Sequence, residues 1–193
     1  MRITGGTLCG RKLRVPSVAS FRPTQDRVRE ALGNLLVSAL PGARFLDLFA
    51  GSGAVGLEAI SRGAADVAWV EADRRNWRLI QENAAALGVD ASQAYCADAL
   101  KWAATAGAGR AFDIVFADPP YADTRADGLR DVMERCAAHD VVRPGGLFVT
   151  EQGGNAPVGE ADGWEILKNR LYGKTRLIVW RRIAPREEPQ SHG

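Results

Sequence analysis

Leu46-Asp47-Leu48-Phe49-Ala50-Gly51-Ser52-Gly53-Ala54-Val55-Gly56 decides the fold. An apolar strand-like run turns through Gly-x-Gly-x-x-Gly into a helix-forming segment. Such a turn lets a ligand approach the backbone and presents unpaired N–H groups at a helix N-terminus. The same alternation continues downstream. Strand patterns at 45–49, 67–71, 93–96 and 112–117 are followed by helical ones at 54–61, 74–87, 99–104 and 125–138. Short apolar strands separated by helices make βαβ units and a parallel sheet covered on both faces. Beyond Pro144-Gly145-Gly146, read as a turn, come strand patterns at 147–151, 164–171 and 175–182. Only Tyr172-Gly173-Lys174 joins the last two, so no helix fits between them and they form an antiparallel edge hairpin.

Upstream, residues 1–15 read as a β-hairpin turning at Gly5-Gly6. Residues 16–23 read as loop, and a helix starts at Thr24, a good N-cap with Asp26 in its first turn. Its stripe is Val28, Ala31, Leu32, Leu35, Leu36 and Ala39, with Arg27, Arg29 and Glu30 outside it and Pro41-Gly42 ending it. The domain reading is an N-terminal hairpin arm (1–23), an α/β domain (24–183) and a disordered tail (184–193).

The 193 residues, 46% hydrophobic and 25% charged, suit one soluble domain with an ample core. No apolar run is long enough to span a membrane, and the N-terminus carries no signal-like segment. Three dispersed cysteines and two histidines offer no metal-ligand spacing, so a reduced, metal-free, cytoplasmic protein is expected. The net charge of +2 hides an uneven distribution. Residues 1–30 hold seven basic and two acidic side chains, and residues 168–182 hold six basic and none acidic, leaving the middle acidic. Basic ends around an acidic centre suit phosphate contacts, although charge runs are also ordinary solvated faces.

Three acids end successive strands. Glu71 lies twenty residues after Gly51, placed to accept from ribose hydroxyls. Asp47, aimed at the glycine loop, would repel a pyrophosphate but suits an ammonium. Asp98 is placed to accept from an adenine amino group or, more simply, to N-cap the next helix. Together they favour S-adenosylmethionine over NAD, with Phe49, Gly51, Ser52, Gly53 and Ala99 as neighbouring cofactor contacts. A purely structural turn is the plain alternative for the glycine loop. After the fourth strand comes Asp118-Pro119-Pro120-Tyr121. Two prolines remove N–H donors and leave carbonyl acceptors, Asp118 adds another acceptor, and Tyr121 adds a ring on which a base can stack. An exocyclic amine needs such acceptors to draw electron density back onto nitrogen. A proline-rich turn with a buried tyrosine is the structural alternative.

Asp118-Pro119-Pro120-Tyr121 resembles the (Asn/Asp)-Pro-Pro-(Tyr/Phe) motif of class I amino-methyltransferases. Residues 1–182 resemble the bacterial RsmD-type methyltransferases. The likeness is carried by Arg2–Gly6, Gly10–Leu13, Arg22–Leu32, Asp47–Gly56, Glu71, Asp118–Tyr121 and Tyr172–Thr175; the family pattern has Phe where this chain has Gly33. The resemblance implies a Rossmann-like, seven-stranded, mostly parallel sheet with a C-terminal antiparallel hairpin. It also implies methyl transfer from S-adenosylmethionine, leaving S-adenosylhomocysteine, to guanine N2 of small-subunit (16S) ribosomal RNA, without metal. Asp118, Pro119, Pro120 and Tyr121 would be catalytic, and Arg2, Arg11, Lys12, Arg14, Arg22, Lys174 and Arg176 are the candidate RNA contacts. The expected partner is ribosomal RNA, naked or in a protein-bound particle, met by a monomer away from membranes. The alternatives are an adenine-N6 or protein-glutamine methyltransferase and, more distantly, an NAD-binding oxidoreductase or a non-catalytic nucleotide-binding module.

Overall fold

Hydrophobic residues on both faces of the central strands require a helical layer on each side, and the chain builds one. The computed structural model describes residues 1–16, 24–119 and 128–183. Helix α1 (Thr24–Leu35) precedes β1 (Arg44–Leu48), α2 (Ala54–Ser61), β2 (Asp66–Glu71), α3 (Arg74–Leu87) and β3 (Ala94–Cys96). Helix α4 (Ala99–Ala104), β4 (Phe112–Ala117), α5 (Gly128–Ala138), β5 (Val142–Gly153), β6 (Trp164–Tyr172) and β7 (Thr175–Arg182) follow. The sheet order is β3-β2-β1-β4-β5-β7-β6. The first five strands run parallel, and β7 is antiparallel to both β5 and β6. Among the described residues, no helix is long and apolar enough to cross a membrane.

Alternation along β1 sends Phe45 into a core shared with α1, α2 and α3, and Leu46 and Leu48 into a second core under α4 and α5. Trp69 and Phe116 belong to the first, and Trp102, Phe148 and Trp180 to the second. Cys136 is buried in the second core, which pushes its thiol up to about 12. Cys9 and Cys96 are exposed free thiols.

The structure corrects four expectations. Helix α1 ends at Leu35, so Leu36 and Ala39 of the expected stripe lie in the turns before Pro41-Gly42. Pro144-Gly145-Gly146 is no turn ahead of a strand; it lies inside β5. The β4–β5 ladder pairs Phe112 with Val142, resumes at Ile114 with Leu147, and leaves these residues as an irregularity. The N-terminal hairpin does not reverse at Gly5-Gly6. Its pairing closes through Ile3 N to Arg11 O and Gly10 N to Ile3 O, so the reversal takes the whole of residues 4–10. Arg29, outside the apolar stripe, is nevertheless buried, donating to Arg2 O at 2.7 Å and to Asp26 Oδ1 at 2.9 Å. Gly33, one turn later, leaves room on that side of α1. A side chain there would overlap the Arg62 guanidinium, which fills the space instead. The N-cap reading of Thr24, the start of α5 before Gly128, the loop after Pro16 and the tail after Ile183 lie outside what is described.

The hairpin is fastened to α2. Buried Glu58 accepts from Thr4 N and Thr4 Oγ1 and pairs with Arg62 at 3.0 Å, while Ser61 Oγ donates to Gly5 O. Ile3 and Leu13 enter the first core. The basic segment Arg11–Arg14 around Leu13, bridged to Arg2 through Lys12, is therefore held against the domain.

Candidate functional site

Parallel strands put all their C-terminal ends on one rim, where ligands bind in open α/β sheets. Leu48 aligns with Val70 on β2 and with Ala117 on β4, and Glu71 aligns with Cys96 on β3. The residues that follow gather here: Phe49, Gly51–Gly53, Glu71, Asp98 and Asp118.

The glycine loop has the left-handed backbone its glycines allow, but the N–H groups of Gly51, Gly53 and Gly56 are taken by Glu71, Ala50 O and Asp47 rather than left unpaired. Phe49, Gly51 and Gly53 have φ of 60°, 54° and 76°. For an aromatic residue that conformation is strained and marks a site the surroundings hold in place. Gly56 serves packing, since a Cβ there would overlap the Trp69 indole, whose Nε1 donates to Gly53 O at 3.3 Å.

Each acid accepts from backbone. Asp47, 1% exposed, takes Gly56 N–H at 2.9 Å, which caps the first turn of α2. Burial pushes its carboxyl well above the usual range; the Gly56 bond opposes this and repulsion from Glu71 and Asp118 adds to it. Glu71 accepts from Gly51 N at 2.7 Å and Asp73 N at 2.8 Å, pinning the loop to the end of β2. Asp98 N-caps α4 through Lys101 N, the simpler of its two readings, and stays exposed; Ala99 behind it is buried. Asp118 is exposed and Pro119 buried, while Pro120 and Tyr121 lie outside the described residues. Asp47, Glu71 and Asp118 thus repel one another around a half-buried glycine loop, an arrangement that fits a cation-bearing nucleoside better than a pyrophosphate.

The described basic candidates sit on the N-terminal hairpin and at the β6–β7 turn. Arg2 donates to Gly10 O, and Arg11 donates to Ala86 O in the last turn of α3. Arg14 pairs with Glu82 at 3.0 Å but keeps 78% of its side chain in solvent. Lys12 is exposed, and Arg22 lies outside the described residues. Across the rim, Gly153 pairs with Thr175 three residues past the Ala117–Thr150 level. The β6–β7 turn therefore stands about 10 Å above Asp118 in the strand direction. Lys174 is exposed there, whereas Arg176 is committed to Asn169 Oδ1 and Gly154 O. Among the described residues, no cluster of metal-ligand side chains is found.

Residues 1–181 match the family model described as conserved hypothetical protein 95. This chain belongs to that family, the RsmD family. The Escherichia coli K12 member named ribosomal RNA small subunit methyltransferase D is 44% identical over 121 residues, 63% of this chain. In that match the chain spans only 60% of the relative's length. The Haemophilus influenzae protein of the same name is 31% identical over 90% of this chain and 89% of its own. The solved structure of yhhF from Escherichia coli superposes with a TM-score of 0.81 at 32% identity, over 96% of this chain and 99% of that one. The RsmD-family fold here is that of class I methyltransferases, with the expected antiparallel C-terminal strands.

Two positioning residues escaped the sequence reading. Glu58, a carboxylate on an otherwise apolar helix, docks the hairpin. Asn83 on α3 is 2% exposed and bonds to both Arg14 and Ser52. Its signal was an asparagine on the stripe that runs through Ile80 and Leu87.

Proposed function

We propose that this RsmD-family member transfers methyl from S-adenosylmethionine to the exocyclic N2 of a guanine in small-subunit ribosomal RNA. The observation that carries the reading is the rim itself: Asp47, Glu71 and Asp118 around the half-buried glycine loop, with Asp118-Pro119 directly after β4. The named relatives support the RNA substrate, and the RsmD resemblance supports the guanine. When bound, the cofactor supplies an electrophilic methyl on a sulfonium. Glu71 holds the ribose hydroxyls, and Asp47 favours the nearby positive charge. Asp118 Oδ and the Pro119 carbonyl accept the amine hydrogens, aiming the N2 lone pair; Tyr121 stacks on the base.

Most of the catalysis is then positioning at near-attack distance. A paired guanine hides its amine, so the base leaves its stack to reach the rim. Arg2, Arg11, Lys12, Arg14, Arg22 and Lys174 hold phosphates on either side, and Arg176 braces the β6–β7 turn. Incubating labelled S-adenosylmethionine with small-subunit RNA from undermodified cells, naked or as protein-bound particles, and mapping the product tests this. Label on one guanine N2 is the expected result. Label on adenine N6 or a protein glutamine would replace the substrate, and no label on any of them would defeat the reading.

A further inference from the structure

Asn83 uses its carboxamide on two segments that are far apart in sequence. Its Oδ1 accepts from Arg14 N at 2.8 Å, and its Nδ2 donates both to Arg14 O at 2.9 Å and to Ser52 O at 3.0 Å. Both amide hydrogens and one acceptor site are thereby committed. The side chain is almost fully buried, so none of these bonds is readily exchanged for water. Ser52 lies in the glycine loop between two residues of positive φ, and Arg14 ends the basic segment of the hairpin.

We infer that Asn83 is a positioning residue through which the cofactor loop and the RNA-holding hairpin act on each other. This rests on the proposed function. A ligand that fixes Gly51–Gly53 fixes Ser52 O and, through Nδ2, the rotamer of Asn83. The hairpin, already bonded to that amide through the Arg14 backbone, is stiffened with it and has less entropy left to lose when RNA arrives. Linkage makes the effect reciprocal: bound RNA tightens the cofactor by the same factor.

The experiment measures the dissociation constant of transcribed small-subunit RNA with and without saturating S-adenosylhomocysteine, at one salt concentration, in the parent and in Asn83→Asp. The aspartate keeps the acceptor for Arg14 N but loses both donors. The parent should bind RNA about fivefold or more tightly with the cofactor product present, the lower end of ordinary allosteric coupling. In Asn83→Asp the ratio should fall close to one. A parent ratio of one, or a variant that keeps the parent's ratio, overturns the inference.

Hydrogen exchange at the Arg14 amide gives a second readout that needs neither RNA nor a variant. S-adenosylhomocysteine alone should slow it several-fold in the parent, and unchanged exchange overturns the joint even if Asn83→Asp fails to fold. Failure of the RNA reading looks different. Arg11→Ala, Lys12→Ala and Arg14→Ala combined would then leave RNA affinity untouched while the Arg14 amide still responded to cofactor; that outcome removes RNA from the coupling and overturns the inference as stated.

Discussion

At the rim, Asp47 is 1% exposed and shares its surroundings with Glu71 and Asp118, whereas Arg14 on the hairpin keeps 78% of its side chain in solvent while paired with Glu82. The two regions use charge in opposite ways. A buried Asp47 that is repelled by Glu71 and Asp118 is costly without a counter-charge, so a cationic ligand that relieves it gains a large effect from few residues. Exposed cations are screened and individually weak, and they act only by number against a polyanion. Single substitutions should therefore be severe at the rim and graded on the flanks.

The largest expected effect is at Asp118. Asp118→Ala should lower methyl transfer at least about 100-fold, roughly 2.7 kcal/mol of transition-state stabilisation. Cofactor affinity by calorimetry should stay within a few-fold, because the glycine loop and Glu71 remain. Asp118→Asn keeps an acceptor and should retain activity well above the alanine variant. Near-parental turnover in a folded Asp118→Ala protein would make the residue structural.

Asp47 offers a trade between binding and stability. Its folded-state carboxyl is raised above the unfolded value, so the folded protein holds the proton more tightly. Stability of the cofactor-free protein then falls as pH rises from the ordinary aspartate range toward the raised value, and the deficit persists above it. Asp47→Asn, whose amide oxygen still accepts from Gly56 N, should melt higher than the parent at neutral pH and lose most of that pH dependence. It should also bind S-adenosylmethionine more weakly. A lower melting temperature at neutral pH, with parental affinity, would remove the idea of a carboxylate held at a cost for its ligand.

The flanks give the smallest effect per residue. Each of Arg11, Lys12 and Arg14 replaced by Ala should lower the slope of log RNA affinity against log salt by roughly 0.7–0.9. An unchanged slope in the triple variant would reduce the hairpin to a solvated face.

The contrast also explains what could be read from the sequence. Parallel strands buried on both faces leave continuous apolar runs, and helices with one apolar stripe keep their period. Strands and helices from 45 to 117 therefore lie within a residue or so of their expected limits. Gly51, Gly53 and Glu71 stand at the expected loop and strand end, because the spacing of a βαβ unit is local. What escaped was decided by partners distant in sequence. Arg29 is buried where it meets the Arg2 carbonyl of the hairpin, and Glu58 and Asn83 matter only because the hairpin lands on them. Pro144-Gly145-Gly146 looked like punctuation, yet β4 continues to pair on both sides of it. Arg176 read as one more free cation until Asn169 and Gly154 were seen to hold it.

The most direct test of this division measures two affinities on two variants. Glu71→Ala should weaken S-adenosylmethionine by about 1–3 kcal/mol, through hydrogen bonds lost to a charged group, and leave RNA binding without cofactor unchanged. The Arg11, Lys12 and Arg14 triple alanine variant should do the reverse, losing RNA affinity and keeping the binary cofactor affinity. Variants that lowered both affinities together, or exchanged these effects, would contradict an acidic rim for the cofactor and basic flanks for the RNA.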